Sequence, residues 1–289
     1  MRLRTLPLAI ACILMGSFLA WFFESFNPWV LLFSLLTTLS LQILSNLAND
    51  YGDSKHGVDH GERKGPSRAV QSGKISGQSM KKGILVFVIL SIILGNLLLL
   101  FSAIALLSKL IFLLLGMLSI LAAIKYTMGK KPYGYRGLGD ISVFIFFGII
   151  AVVGTYFLHT NHFLWDILLP AASTGLFAVA VLNINNIRDI ESDSVAGKMS
   201  IPVRLGRENG VRYHWFLLVT AVLLALLTVV IDWQGVGQLL FLLAVPLLWR
   251  NATAVARMTD PVQLNPMLKQ LSLSTLAFVV LFGLGQIIG

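Results

Sequence analysis

The chain has 289 residues, of which 56% are hydrophobic and only 12% are charged. Soluble domains carry about 25% charged residues, so this composition excludes an ordinary soluble protein and predicts a polytopic membrane protein. The single cysteine, Cys12, lies in an apolar run, which excludes an intrachain disulfide and a metal site built from several thiolates.

Apolar stretches follow one another along the chain. A transmembrane helix needs roughly 17–25 apolar residues, and stretches of roughly this length lie near 5–23, 28–50, 82–103, 108–127, 139–158, 165–187, 212–231, 236–250 and 268–288. The start resembles a signal peptide, but further spans follow at once, so we expect an uncleaved first helix. The sequence predicts an all-α polytopic membrane protein of about nine transmembrane helices, forming a single domain over 1–289.

The basic residues indicate how these helices are oriented. With the N-terminus in the cytoplasm, 21 of the 22 Lys and Arg residues lie on the inner side, and only Lys109 lies outside. The net charge of +9 therefore reflects membrane topology, and we expect membrane lipid and no nucleic acid as a partner. The three substantial inner loops, 51–81, 128–138 and 188–211, place the expected chemistry at the cytoplasmic face of a bacterial inner membrane.

Two stretches rich in Asp and Asn end the second and sixth predicted helices, and seven of the 13 acidic residues lie in these two places. Carboxylates at the edge of a hydrocarbon layer are costly unless their charge is offset, so they indicate a functional site. The alternative is that they are helix caps and ordinary loop acids, but their pairing and repetition favour function. The first stretch contains Asn46, Asn49, Asp50 and Asp53, with Asp59 beyond it, and the second contains Asn185, Asn186, Arg188, Asp189 and Asp193.

The two stretches occupy equivalent places in an internal repeat with four helices per unit. The pseudo-repeats are predicted near 5–128 and 139–250, followed by the final helix at 268–288. Parallel repeats in membrane proteins place their halves face to face around a cavity. Two carboxylate clusters that face each other can hold two Mg²⁺ ions, which bind a diphosphate between them.

A diphosphate leaving group also needs basic side chains, because negative charge develops on it as its C–O bond breaks. Arg68 and Lys130 lie in loops that must fold near the acidic stretches, and Lys125 and Arg188 flank the same regions. The alternative for each is a basic anchor that extends to the membrane interface.

These motifs resemble those of the UbiA superfamily of intramembrane prenyltransferases. The pattern of that family is two Asp-rich motifs, roughly N-x-x-x-D-x-x-x-D and D-x-x-x-D, on paired four-helix units within a nine-helix fold. Asn185, Asp189 and Asp193 fit the second motif in full, and Asn49 and Asp53 fit the first. The resemblance extends over nearly the whole chain and implies the same fold and chemistry.

The third acid of the first motif is displaced. Gly57 stands four residues after Asp53, and the next acid is Asp59. A tight turn at Gly57, where glycine tolerates a positive φ, would bring Asp59 to the metal. The alternative is that Asp50 completes the set.

The resemblance implies roles for individual residues. Tyr126 and Lys130 match the family's Tyr-x-x-x-Lys segment, and Arg68 matches the Arg of its first cytoplasmic loop. The implied metal ligands are Asp53, Asp189 and Asp193, with Asp50 or Asp59 as the further carboxylate. The implied catalytic residues are Asp53, Asp189, Asp193, Arg68 and Lys130. The implied cofactor-binding residues are Asn46, Asn49, Asn185, Asn186, Arg188, Lys125 and Tyr126.

Four segments look like the branch of that family that prenylates 1,4-dihydroxy-2-naphthoate in menaquinone synthesis: 41–53, 65–68, 132–140 and 181–189. This resemblance implies Mg²⁺-dependent transfer of a polyprenyl group from a polyprenyl diphosphate to that acceptor, with loss of CO₂, giving demethylmenaquinone. The alternatives are the same transfer to 4-hydroxybenzoate or homogentisate, and transport of an anionic solute. We further expect that replacing Asp53 or Asp189 by Ala lowers turnover on the order of 10³-fold or more. The fold should survive, because removing an unneutralised carboxylate from the cavity relieves repulsion.

Overall fold

The computed structural model describes residues 3–55, 69–70 and 72–289, and within these ranges the chain is helical, with no strand. The prediction of about nine helices is confirmed there. Eight helices are long and apolar enough to cross a membrane, and a shorter apolar helix of 17 residues precedes them. They are α1 (Leu6–Phe22), α2 (Pro28–Lys55), α3 (Gly77–Phe101), α4 (Leu106–Lys125), α5 (Gly139–Thr160), α6 (Trp165–Arg188), α7 (Ile201–Ile231), α8 (Val236–Arg257) and α9 (Pro261–Ile288).

Several helices extend beyond the apolar spans predicted from the sequence, and the extensions of α2 and α7 flank the Asp-rich segments. α2 continues to Lys55 rather than ending near residue 50, so that Asp53 lies on its last turn. α7 begins at Ile201 rather than near residue 212 and is kinked at Gly206, where φ is 80°. Polar and charged residues at these helix ends lower the mean hydropathy, and therefore a search for apolar spans misses the extensions.

α6 is the central helix of the bundle. In its most apolar window 72% of the residues are buried, whereas none are in the corresponding window of α4, which packs against α2 and α3 at the periphery. α6 packs against α7, α5, α9 and α1. Small residues let its backbone approach α7, and the Ser173 hydroxyl donates to the Ala221 carbonyl at 2.7 Å.

α1 closes the bundle, because it contacts α2, α5, α6 and α9. A cavity of about 490 Å³ lies inside the ring formed by α1 to α6, with Leu268 of α9 at its edge. The α5 wall of this cavity is wound as a π-helix from Phe144 to Val153. Such segments are rare and occur mostly at functional sites, so the π-helix indicates that this cavity has a functional role.

Candidate active site

The last turns of α2 place three polar side chains in the cavity. Asn46, Asn49 and Asp53 all line it, as the i, i+3, i+7 spacing predicts for one helix face. The Tyr135 hydroxyl donates to Asp53 Oδ1 at 2.7 Å, and the Thr127 hydroxyl lies 3.1 Å from Asn49 Oδ1, to which it donates. Two polar members of the first motif are therefore oriented by groups from the segment that follows α4.

A close backbone contact fixes the end of α2 against that segment. A Cβ added to Gly52 would lie 2.5 Å from the Thr127 hydroxyl oxygen and 2.6 Å from its carbonyl oxygen. Any side chain at this position would push α2 away from Thr127. Glycine at position 52 thus sets the position of Asp53, its neighbour along the chain.

The structure leaves the third acid of the first motif open. Asp50 is buried, but it does not line the cavity. Asp59 and Gly57 lie outside the described residues, as does Arg68. The choice between Asp50 and Asp59 therefore stays a prediction.

The second motif is built around a buried ion pair. The Arg188 side chain is 0% exposed; its Nε donates to Asp189 Oδ1 at 2.8 Å and its Nη2 donates to Asp189 Oδ2 at 2.6 Å. Nη2 also donates to Asn185 Oδ1 at 2.7 Å, and Nη1 donates to Asn265 Oδ1, at the start of the long helical part of α9, at 2.9 Å. Asp189 is thus already neutralised, so the premise that it stands unneutralised is wrong.

Asp193 follows on the short helix Ile190–Val195 and has its own basic partner. Lys198 Nζ donates to Asp193 Oδ2 at 2.7 Å, and the side chains of both residues are largely buried. The Lys198 backbone N–H also donates to the Asp193 carbonyl at 2.8 Å. The second motif therefore carries two carboxylates, each in contact with a basic side chain.

The turn after Asp193 is joined to the turn that carries Tyr135. The Met199 N–H donates to the Tyr135 carbonyl at 2.9 Å, and Arg204 Nη2 donates to the Arg136 carbonyl at 2.8 Å. Gly137, with φ of 81°, lies so close to these groups that a Cβ would sit 2.7 Å from the Met199 carbonyl oxygen. Through this contact the two Asp-rich motifs belong to one connected unit.

The charges of this unit are coupled. Burial raises the pKa of Asp193, and repulsion from Asp189 and Asp53 acts in the same direction, while Lys198 opposes them. Burial alone would lower the pKa of Lys198, but Asp193, followed by other groups that include Asp53, outweighs it, so that the pKa is raised. Three carboxylates and one ammonium therefore share the same part of the cavity.

This donor set fits a hard divalent cation. Carboxylate and amide oxygens from Asn49, Asp53, Asn185, Asp189 and Asp193 all line the cavity. Among the described residues no three His, Cys, Asp or Glu side chains converge as a closed metal centre. Mg²⁺ commonly uses one or two carboxylates together with water and substrate phosphates, so an open set of carboxylate and amide oxygens suits it.

The predicted basic residues are only partly brought to this site. Lys125 and Lys130 are exposed, and neither lines the cavity. Lys130 instead lines a separate cleft with Tyr51 and Lys55. Tyr126 does line the cavity, whereas Asn186 is buried outside its lining.

Two residues of the site were missed by reasoning from the sequence. Lys198 follows Gly197 in the basic loop after the second motif, a place equivalent to that of Arg68 after the first, and this symmetry was the available signal. Tyr135 lies within a segment that carries the family resemblance, but no sequence pattern assigns its hydroxyl to Asp53.

Comparison with known proteins agrees with this geometry. The sequence model of the UbiA prenyltransferase family matches residues 9–282. A relative from Haemophilus influenzae named 1,4-dihydroxy-2-naphthoate octaprenyltransferase is 47% identical, with 100% of this chain and 94% of the relative covered. A relative of the same name from Escherichia coli is 46% identical, with 99% and 92% covered.

Two solved structures share the fold. The apo structure of a UbiA homolog from Aeropyrum pernix has a TM-score of 0.73 at 18% identity and covers 100% of this chain and 98% of its own. A UbiA homolog from Archaeoglobus fulgidus bound to DMAPP and Mg²⁺ has a TM-score of 0.61 at 16% identity and covers 99% of each chain. Family match, full-length relatives and shared fold lead to one conclusion: this protein is a member of the UbiA prenyltransferase family.

Proposed function

We propose that the protein transfers a polyprenyl group from a polyprenyl diphosphate to 1,4-dihydroxy-2-naphthoate, with loss of CO₂, to give demethylmenaquinone and diphosphate. The observation that carries this proposal is that Asp53, Asp189 and Asp193 open onto one long, largely apolar cavity. The names of the two relatives at 46–47% identity support the naphthoate as acceptor. Membership of a prenyltransferase family removes the support for a transporter.

Asp53, Asp189 and Asp193 would hold two Mg²⁺ ions, with Asp50 or Asp59 as the further carboxylate. Burial raises the pKa of Asp193, and repulsion from Asp189 and Asp53 acts in the same direction, so added positive charge is favourable at this place. The Archaeoglobus fulgidus homolog described with DMAPP and Mg²⁺ supports metal dependence in general. When bound, Mg²⁺ supplies Lewis-acid neutralisation of the charge that develops on the diphosphate.

The residues of the chain orient these carboxylates. Tyr135 holds one oxygen of Asp53, and Arg188 holds both oxygens of Asp189. Such fixed donors reduce the reorganisation needed when the diphosphate leaves. The allylic C–O bond breaks with its electron pair on the diphosphate, the electron-rich ring carbon of the acceptor forms the new C–C bond, and the acceptor carboxylate leaves as CO₂.

The apolar part of the cavity suits the isoprenoid chain. Phe112 on α4 and Phe146, Phe147 and Ile150 on α5 line it away from the acidic residues. Such walls exclude water and so protect an allylic cation from hydrolysis. Cys12, the only cysteine, is buried in α1 and does not line the cavity, so no thiol nucleophile is available there.

The membrane setting follows the same proposal. The protein is a multi-pass membrane protein, and we place it in the bacterial cytoplasmic membrane with its N-terminus and active site facing the cytoplasm. Support comes from the distribution of basic residues, which puts 21 of 22 on one side. The two four-helix pseudo-repeats, near 5–128 and 139–250, stay a prediction.

Acceptor competition in membranes tests the assignment. Membranes containing the protein would receive a polyprenyl diphosphate, Mg²⁺ and equal amounts of 1,4-dihydroxy-2-naphthoate, 4-hydroxybenzoate and homogentisate. We expect prenylation of the naphthoate alone, and no product from membranes that contain the Asp53→Asn variant. Preferential prenylation of either benzenoid acceptor would overturn the naphthoate assignment while leaving the prenyltransferase assignment in place.

A further inference from the structure

Only two basic residues within the described part of the chain line the cavity, Arg4 and Lys198. Arg4 lies just before α1, and its Nη1 donates to Asn265 Oδ1 at 3.4 Å. Lys198 lines the cavity together with Asp53 of the first motif and with Asp189 and Asp193 of the second. A diphosphate bound between the motifs would therefore have Lys198 as a cationic neighbour.

The contacts of Lys198 are those of a counter-ion that can be exchanged. Its ammonium makes one side-chain hydrogen bond, to Asp193 Oδ2 at 2.7 Å, and its side chain is 12% exposed. A lysine reaches through a flexible four-carbon stem, so its Nζ can move by several ångströms without a shift of the backbone. The backbone meanwhile stays fixed by the Lys198 N–H to Asp193 carbonyl bond of 2.8 Å.

Arg188 is less exposed than Lys198 and makes more hydrogen bonds. Its guanidinium is 0% exposed and bonds Asp189 through two nitrogens, and it also donates to Asn185 and Asn265. Releasing it would leave several buried groups without partners, which is costly. Of the two basic partners of the second motif, Lys198 is therefore the one that can leave its carboxylate.

We propose that Lys198 neutralises Asp193 until metal binds there, and that its ammonium then moves to the diphosphate, where it stabilises the leaving group. A buried ammonium that loses its carboxylate needs another anion, because an unpaired buried charge is strongly unfavourable. The diphosphate supplies that anion at the same place. This inference rests on the proposed function, and it makes Lys198 a further catalytic residue of the reaction.

The exchange predicts effects of opposite sign on two binding steps. In the wild type, metal must displace Lys198 from Asp193, so Lys198→Met should bind Mg²⁺ alone more tightly, on the order of tenfold. With Mg²⁺ saturating, the same variant has lost a cation from the diphosphate site. It should bind inorganic diphosphate more weakly, again on the order of tenfold, and turn over more slowly.

Isothermal titration calorimetry on the purified full-length protein in detergent measures both steps, first with MgCl₂ alone and then with preformed Mg²⁺–diphosphate. The matched control is Lys82→Met, which removes an exposed lysine outside the cavity lining and should match the wild type in both titrations. Lys198→Arg, which keeps the charge, should restore most of the diphosphate affinity and guards against a folding defect in Lys198→Met.

The outcomes separate this inference from the proposed function. Tighter Mg²⁺ and weaker diphosphate binding in Lys198→Met support the exchange. If Lys198→Met binds Mg²⁺ and diphosphate like the wild type, Lys198 takes no part in either binding step and the exchange is overturned. If the variant binds both ligands more weakly, Lys198 has a purely structural role and the exchange is also overturned. A wild-type protein that binds diphosphate without Mg²⁺, or not at all, would count against the proposed function itself.

Discussion

Asp53→Asn and Asp189→Asn should both lower turnover severely, and the second should destabilise the protein more than the first. Each substitution removes one carboxylate from the proposed metal site while conserving its shape. We expect turnover to fall on the order of 10³-fold or more, equivalent to about 4 kcal/mol of transition-state stabilisation. The two variants differ in the contacts that the neighbouring groups keep once the negative charge is removed.

Asp189 accepts from Arg188 through both oxygens, at 2.8 Å and 2.6 Å, and the Arg188 side chain is 0% exposed. An Asn amide can accept from only one of those nitrogens and presents its own N–H groups to the other. Breaking a buried ion pair by removing one partner costs about 3–5 kcal/mol. An Asn at position 53 can still accept from the Tyr135 hydroxyl, so that contact survives.

Thermal unfolding of both variants in detergent, followed by size-exclusion chromatography, measures the difference. Asp189→Asn should melt at least about 5 °C below the wild type, and Asp53→Asn should melt at a higher temperature than Asp189→Asn. The double variant Arg188→Met with Asp189→Asn should regain part of the lost stability, because the buried charge is gone, and stay inactive. Equal melting of the two single variants would contradict the stabilising role of the buried ion pair. Near-normal turnover of Asp189→Asn at saturating Mg²⁺ would contradict the role of Asp189 as a metal ligand.

Further expectations follow from the same geometry. Tyr135→Phe should lower the turnover number on the order of tenfold with little change in stability, because it removes one charge-assisted hydrogen bond to Asp53; steady-state kinetics against Mg²⁺ concentration will show this. Gly52→Ala should destabilise the protein by about 1–3 kcal/mol through overpacking and reduce activity, whereas Gly83→Ala, whose Cβ would meet only a Leu side chain at 3.6 Å, should do neither. Chelation of Mg²⁺ with EDTA should abolish product formation, and added Mg²⁺ should restore it. A reporter fused at Asp232 should be periplasmic, and a cytoplasmic signal there would contradict the proposed topology.

The helices and the polar face of α2 could be predicted from the sequence, because both depend on local periodicity. Apolar runs of membrane length mark the spans, and helical spacing places Asn46, Asn49 and Asp53 on one face whatever surrounds them. The second motif followed in the same way at Asn185 and Asp189, which line the cavity as predicted.

The partners of these residues could not be predicted, because they depend on contacts between distant segments. Lys198 faces the cavity because its turn is tied to Tyr135, which lies 63 residues earlier in the chain. Lys130 matches a family segment, yet it lines a separate cleft. Arg188 is adjacent to Asp189 in sequence, but its orientation is also set by Asn265, on α9. Tertiary packing decides which of several similar cations faces the site.

Analysis of the reaction products tests the proposed prenyl transfer and decarboxylation together. Purified protein would be incubated with Mg²⁺, a mixture of polyprenyl diphosphates and 1,4-dihydroxy-2-naphthoate, and the lipid extract would be analysed by mass spectrometry. We expect a prenylated naphthalenediol, or its oxidised quinone, that has lost the mass of CO₂, together with released diphosphate. A prenylated product that retains the carboxylate, or the absence of any prenylated naphthoate while another aromatic acceptor is prenylated, would contradict this expectation.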